Sequence, residues 1–321
     1  MIQTISHYIR RFLDAYRDTV RITKHANLVE LNGIFVIIKL FIIRFFYSFN
    51  FIRNFKKINL KDETLNSEFF IEKELKISNE IEQIDRLGYS DVYNVNHALK
   101  MGLLDMVLDC KDLDSKKLNH PLAEILKKKD ENLDEYFLRL KQNKVSRVSG
   151  YLDLKKESIL KDFLTSKEVL SIVKNYLDPK HISINASFFI SNPVETSDKK
   201  KYSDAQFFHW DNDFTKFLKF YIYLTDIDTD SGPHIFVEKS HKFKKKQHKL
   251  CRVFNDNNIY QNYEKIKEFH GKSGSAFFVD SYGLHKGKSP KKRSRILLNI
   301  HFGSGKILYS KNDIILNLTK N

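Results

Sequence analysis

The spacing of apolar residues changes character partway along the chain: it follows a helical period before Pro179 and a period of two after it. In the first half, Ile71, Leu75, Ile77, Ile81 and Ile84 predict a helix over 71–86 that Gly88 stops, followed by an extended segment from Tyr89 to Val95. Further helices are expected from His97 to Leu108 and from Leu122 to Lys129, the latter with Asn119 and Pro121 as cap and first turn. The strongest helical stripe is Val169, Ile172, Val173, Tyr176 and Leu177; Thr165 and Glu168 ahead of it have capping-box spacing, and Pro179 follows its end. Beyond Pro179 come short runs rich in Ile, Val, Phe and Tyr: HISINASFFI, AQFFHWD, KFLKFYIYLTDI, PHIFVEK, SAFFVD and RILLNIHFG. Separated by Asp, Asn, Ser and Gly turns, they predict a sandwich or closed β architecture with the earlier helices packed outside it.

Residues 1–60 read differently, as a basic, aromatic-rich helical extension, and the polar stretch from Lys61 to Ser67 sets a boundary. The expected organisation is an extension over 1–60 and a main domain over 61–321, with the strand-rich core at about 180–305. Within the extension, Gly33 to Ile52 (GIFVIIKLFIIRFFYSFNFI) is long enough to cross a bilayer. Lys39 and Arg44 would each cost about 2.5–3.5 kcal/mol at its centre, which offsets most of the apolar gain. The segment is therefore read first as a helix buried against the main domain, next as a peripheral membrane helix with its cations at the phosphates, and last as a span.

With 321 residues, 41% hydrophobic and 30% charged, the chain is long and apolar enough for a buried core, which excludes a disordered protein. The net charge of +15 would draw an anionic partner, although a Lys-rich composition produces the same balance, and no specific nucleic-acid binding is expected. Cys110 and Cys251 lie too far apart in sequence for a disulfide framework or a CxxC zinc site, and the N-terminus lacks a signal-peptide pattern. A cytoplasmic location follows as the expectation, with contact to the inner face of a membrane through 33–52 as the variant.

The candidate chemistry lies in AQFFHWDND. His209 and Asp211 are two apart, so on a strand both side chains point to one face and can share a metal. His285, after the run SAFFVD, is the candidate third ligand; two imidazoles and a carboxylate form the facial triad that leaves iron(II) open positions for a co-substrate and dioxygen. On the last strong strand, Arg295, Leu297, Asn299 and His301 share one face. An inward guanidinium there offers a two-pronged clasp for a dicarboxylic co-substrate.

These segments resemble, in order and spacing, the phytanoyl-CoA dioxygenase family of iron(II)- and 2-oxoglutarate-dependent oxygenases. QFFHWDND is similar to the family's Gln-x-x-His-x-Asp segment; DTDSGPHIFVEKSHK, GKSGSAFFVDSYGLHKG and RSRILLNIHF resemble its later motifs. The resemblance covers about Glu68 to Gly303 and is strongest from Ile184 onward. It implies an α+β fold: a double-stranded β-helix (jelly-roll, cupin-like) barrel with flanking helices. It also implies His209, Asp211 and His285 as iron ligands and Arg295 as the partner of the distal carboxylate of 2-oxoglutarate, with Arg293 second for that role. Gln206 is a candidate contact to substrate or co-substrate, or a strand-edge hydrogen bond. The implied aromatic lining is Phe207, Phe208 and Trp210, with Tyr221 or Tyr223; His234 and His241 read as turn residues, and His301 as a satisfied core histidine.

Two positions depart from the family pattern. Lys286 follows the distal His where the family has Gly, with Gly287 one later, and Val237 to His241 (VEKSH) replaces pro-gly-ser-his. Related halogenases have a small residue in place of the carboxylate, so Asp211 implies hydroxylation, with release of succinate and carbon dioxide. The basic run from Lys286 to Arg295 starts at the metal ligand and points to an anionic small-molecule or carrier-linked substrate. The alternative class is a non-catalytic jelly-roll binding protein or a membrane-surface adaptor.

Overall fold

The computed structural model describes residues 63–318 except 73, 115–119, 157, 212–215, 250–251 and 306–312, and before them only Leu13 and Ile42. The expected extension over 1–60, the segment 33–52 and Cys251 therefore lie outside the described residues. Among the described residues, no helix is long and apolar enough to cross a membrane.

The chain opens with a hairpin of β1 (Thr64–Asn66) and β2 (Glu74–Lys76), then α1 (Ile77–Leu87), β3 (Tyr93–Asn94) and α2 (His97–Leu108). Next come α3 (Leu122–Ile125), α4 (Leu133–Gln142), β4 (Arg147–Leu152), α5 (Ile159–Leu164) and α6 (Lys167–Leu177). The strand-rich part holds β5 (His181–Ser191), α7 (Asp198–Ser203), β6 (Phe208–His209), β7 (Phe217–Tyr223), β8 (His234–Val237), β9 (Val253–Phe254) and α8 (Asp256–Tyr260). It closes with β10 (Ile266–Phe269), β11 (Ser275–Val279), β12 (His285–Gly287), β13 (Arg295–Gly303) and β14 (Ile314–Asn317).

Two antiparallel sheets form the double-stranded β-helix. The major sheet runs β14-β5-β13-β7-β11-β3 with β4 also on β5, and the minor sheet runs β10-β8-β12-β6-β9. Strand alternation gives the major sheet two unlike faces. Ile184, Phe188, Leu218, Phe220, Ile222, Ile296, Leu298 and Ile300 share one core with α1, α2, α5 and α6. The opposite face, with Tyr221, Tyr223, Phe277 and Leu297, joins Phe236 of the minor sheet in a second cluster. A register slip of one residue would turn Arg295 into the helical core and Ile296 toward the minor sheet, so the apolar pattern fixes the pairing.

Four local expectations are corrected. The helix expected over 71–86 begins at Ile77, because Glu74–Lys76 pair with Thr64–Asn66 instead. The cap of α6 is Ser166, whose Oγ accepts from Val169 N at 3.5 Å; Thr165 Oγ1 donates back to Lys161 O at 2.9 Å and closes α5. Glu168 is buried and accepts from Ser67 Oγ at 3.0 Å, tying β1 to this helix. The helix expected over 122–129 stops at Ile125, with Pro121 as its cap and Leu126 extended, because Arg139 reaches back to the carbonyls of Glu124 and Leu126 and pairs with Glu131. The extended segment 89–95 forms a strand only at Tyr93–Asn94, with single bridges at Tyr89 and Val95. The sequence reading passed over α4, although Asn132 and Glu135 give it a full capping box.

Candidate active site

Strand pairing brings the three predicted ligands together. His209 on β6 pairs directly with His285 on β12, and their rings lie 4.3 Å apart between centroids. Asp211 follows β6 by two residues, and its backbone N–H donates to Ser281 O at 2.9 Å. His209 Nε2 lies 3.9 Å from Asp211 Oδ1, and His285 Nε2 lies 3.5 Å from Asp211 Oδ2. One donor atom from each of the three residues fits within 4.8 Å of the others.

The donor chemistry fits a divalent ion. Each imidazole Nδ1 is held at 2.9 Å by a backbone carbonyl two residues earlier, Phe207 O for His209 and Gly283 O for His285. A carbonyl can only accept, so Nδ1 carries the proton and Nε2 presents its lone pair to the carboxylate side. Burial lowers the pKa of both rings, that of His285 to about 3, so both are neutral, the form a metal ligand needs. Burial alone would raise the Asp211 pKa, but the ammonium of Lys219 beside it holds it well below the usual carboxylate range. Lys219 Nζ donates to Asp211 Oδ2 at 2.6 Å, and Arg252 Nη2 approaches Oδ1 at 4.0 Å. The sequence reading missed Lys219, though its place in KFLKFYIY, two residues from Tyr221, puts it on the inner face.

Arg295 begins β13 on that inner face and is buried, 5% exposed. Its Nη1 donates to Gly232 O and its Nη2 to Ser191 Oγ at 3.4 Å, while Nε has no partner. Burial pushes its pKa down to about 10, so it is a desolvated cation that gains from an incoming carboxylate. The turn before β8 builds this seat. Asp228 Oδ1 accepts from Asp230 N and Ser231 N at 3.0 Å each. Gly232 has φ +78, and a Cβ there would meet Pro290 N at 2.8 Å as well as the Lys288 carbonyl. Only glycine fits that backbone without strain.

Arg293 does not share this place. Its guanidinium is 63% exposed and pairs with Asp228, because residue 293 lies in the loop before β13. Gln206 Oε1 accepts from Ser289 Oγ at 2.7 Å and so links the segment before β6 to the loop after β12. His234 is corrected from a turn residue to an inner-face strand residue, stacked 5.5 Å from the His285 ring and 4.6 Å from Tyr221. Phe208 and Trp210 are also corrected: alternation about His209 places them with Ile235, Val237 and Leu284 in a separate cluster, while Tyr221 and Tyr223 remain in the inner cluster.

Both departures from the family pattern have a structural account. Lys286 points away from the metal donors to Asp256 at 2.5 Å, and the small residue stands at Gly287, where a Cβ would lie 3.2 Å from Arg295 Nη2. In VEKSH, Lys239 has φ +61, a left-handed backbone. Ser240 Oγ accepts from Leu284 N at 2.7 Å, and His241 Nε2 lies 2.9 Å from Asp85 O, so the motif fastens α1 and β12 together. The basic run is largely neutralised: Lys286, Lys288, Lys292 and Arg293 pair with Asp256, Glu268, Asp230 and Asp228.

A double-stranded β-helix with a His-x-Asp and a distal His converging between its sheets defines the class of mononuclear iron oxygenases. The family model described as phytanoyl-CoA dioxygenase (PhyH) matches residues 114–294, more than half of the chain, and the chain belongs to that family. It is an iron(II)- and 2-oxoglutarate-dependent oxygenase. Among solved structures it is similar to HygX from Streptomyces hygroscopicus with nickel and 2-oxoglutarate bound: 10% identity, 70% of this chain and 85% of that chain covered, TM-score 0.45. SnoK, a non-heme alpha ketoglutarate dependent carbocyclase from nogalamycin biosynthesis, gives 13% identity, coverage of 70% and 82%, and a TM-score of 0.45. SnoN, an epimerase from the same biosynthesis, gives 11%, 73% and 88%, and 0.46. No curated protein matches the sequence.

Proposed function

We propose that the enzyme hydroxylates a small-molecule substrate, with His209, Asp211 and His285 holding iron(II) and Arg295 taking the distal carboxylate of 2-oxoglutarate. The observation that carries this reading is the convergence of the three donors, within 4.8 Å of one another, with both Nδ1 atoms engaged elsewhere. Bound iron supplies activation of dioxygen coupled to decarboxylation of 2-oxoglutarate to succinate and carbon dioxide. The protein's own residues orient the parts: the carbonyls of Phe207 and Gly283 fix the imidazoles, Lys219 fixes the carboxylate, and Arg295 fixes the co-substrate. Tyr221, Tyr223 and Phe277 pack between the sheets and limit water. The carboxylate at Asp211 favours hydroxylation over halogenation, because it occupies the position a halide needs.

Anaerobic addition of iron(II) and 2-oxoglutarate to the full chain tests the reading. The weak visible charge-transfer band of the chelate is expected, lost in His209→Ala and in Asp211→Ala. No band, and no succinate under air, returns the protein to the binding-module class. Catalytic assignment of residues 61–321 is part of the same proposal: a chain lacking 1–60 retains the band. Liposome flotation of the two forms tests membrane contact through 33–52, and equal flotation removes it.

A further inference from the structure

Lys219 stands beside the candidate metal donors without belonging to the motifs that predicted them. It comes from β7, an interior strand of the major sheet, where it pairs with His301 on β13 and Val279 on β11. Parity with Tyr221 and Tyr223 directs it between the sheets, and its ammonium meets Asp211 Oδ2 at 2.6 Å. Strands on both sides hold its backbone, so this cation is a fixture of the sheet rather than a surface side chain folded inward. Its side chain is 13% exposed and that of Asp211 12%.

So well buried an ion pair is a weak stabiliser of a fold. Desolvation of the two ions offsets most of their attraction, and an apolar pair of similar volume serves folding as well. What the lysine changes is the charge of the donor set. Both imidazoles are neutral, so among the three predicted ligands Asp211 alone carries a negative charge, and Lys219 cancels it. A unit charge at this place acts with opposite signs on the two ligands the site would take: it repels a divalent ion and attracts the dianionic 2-oxoglutarate that joins it. Arg252 Nη2, 4.0 Å from Asp211 Oδ1, acts in the same direction from farther off.

We infer that Lys219 is a positioning residue that sets the charge of this site, so that a divalent ion alone is held less tightly and 2-oxoglutarate more tightly once the ion is in place. The inference rests on the oxygenase reading and deepens it at the same site. Metal and co-substrate then retain each other, and the site gives up its metal more readily when 2-oxoglutarate is scarce. A lysine that served folding alone would have a different signature, because its loss would loosen the donor set and weaken both ligands together.

Isothermal titration calorimetry on the full chain measures manganese(II) binding, and then 2-oxoglutarate binding to the manganese-saturated protein. Lys219→Gln keeps a hydrogen-bond donor and removes the charge; Lys219→Arg keeps the charge. Lys219→Gln is expected to tighten manganese(II) about tenfold and to weaken 2-oxoglutarate about tenfold, a conservative effect for unit charges a few ångströms apart at an effective dielectric of about 20. Lys219→Arg is expected to keep both affinities near those of the wild type. Lys219→Met takes the place of Lys219→Gln should the latter fail to fold, as read from its thermal midpoint. Affinities that fall together, affinities that stay unchanged, or an arginine variant that behaves like the glutamine variant overturns the inference. A wild-type protein that takes up no manganese(II) sinks the metal triad and this inference with it, whereas normal uptake with any of those three results sinks the inference alone.

Discussion

Replacing Arg295 by Met removes a positive charge and a two-pronged donor while keeping most of the side chain's volume. In the folded protein this guanidinium has one sound acceptor, Gly232 O, a long contact to Ser191 Oγ at 3.4 Å, and an unpartnered Nε. A desolvated cation so thinly matched contributes little to folding, and exchange for an apolar side chain of similar size changes stability by about 1 kcal/mol or less. In the proposed role, the co-substrate depends on it far more. Two charge-assisted hydrogen bonds at the low end of about 1.5 kcal/mol each sum to about 3 kcal/mol, or roughly 150-fold in the half-saturating concentration of 2-oxoglutarate. Anaerobic titration of the chelate band measures that ratio, and urea unfolding measures stability in the same preparations. Arg293→Met is the control; its exposed guanidinium pairs with Asp228 outside the site, and a change within about twofold is expected. A ratio below about fivefold for Arg295→Met, or the large effect appearing in Arg293→Met instead, refutes the assignment.

Lys219→Met leaves the buried Asp211 carboxylate without its partner at 2.6 Å, and the metal-free protein should lose about 3–5 kcal/mol of stability in urea. A bound dication replaces the missing charge, so the metal-induced rise in thermal midpoint should exceed that of the wild type; an equal rise counts against the argument. Gly287→Ala places a Cβ 3.2 Å from Arg295 Nη2, at the movable end of that side chain. Affinity for 2-oxoglutarate should fall several-fold with about 1 kcal/mol or less lost in unfolding. Lys239→Gly removes the Cβ from a residue at φ +61. Relief of that strain, about 1 kcal/mol, is partly offset by glycine's entropy, so a gain of up to about 0.5 kcal/mol is expected, and clear destabilisation contradicts the reading.

Much of the fold was legible because alternation leaves a direct trace in a buried strand. The parity that assigned Arg295, Leu297, Asn299 and His301 to one face of β13 is the parity observed, with Ile296, Leu298, Ile300 and Phe302 in the helical core. The same reasoning placed His209 with Asp211 and, had it been applied to Phe208 and Trp210, would have sent them to the other face. Helix ends were less legible. At Thr165–Ser166 two neighbouring hydroxyls can each cap, and the choice depends on α5 ending one residue earlier.

By itself the sequence determined the class: one chain of helices followed by strands, a His-x-Asp with a distal His, and an inward arginine on the last long strand. These depend on residue type and short-range spacing. Which cation sits where was decided by tertiary structure alone, because it turns on pairing between strands far apart in sequence. Arg293 and Arg295 share a parity, yet the loop before β13 releases one to Asp228 while strand pairing with Ser191 buries the other. The lysines after His285 look like an anion-binding mouth until Asp256, Glu268 and Asp230 arrive from other elements to neutralise them. Lys219 became part of the candidate metal site only when β7 was laid beside β13 and its ammonium met Asp211.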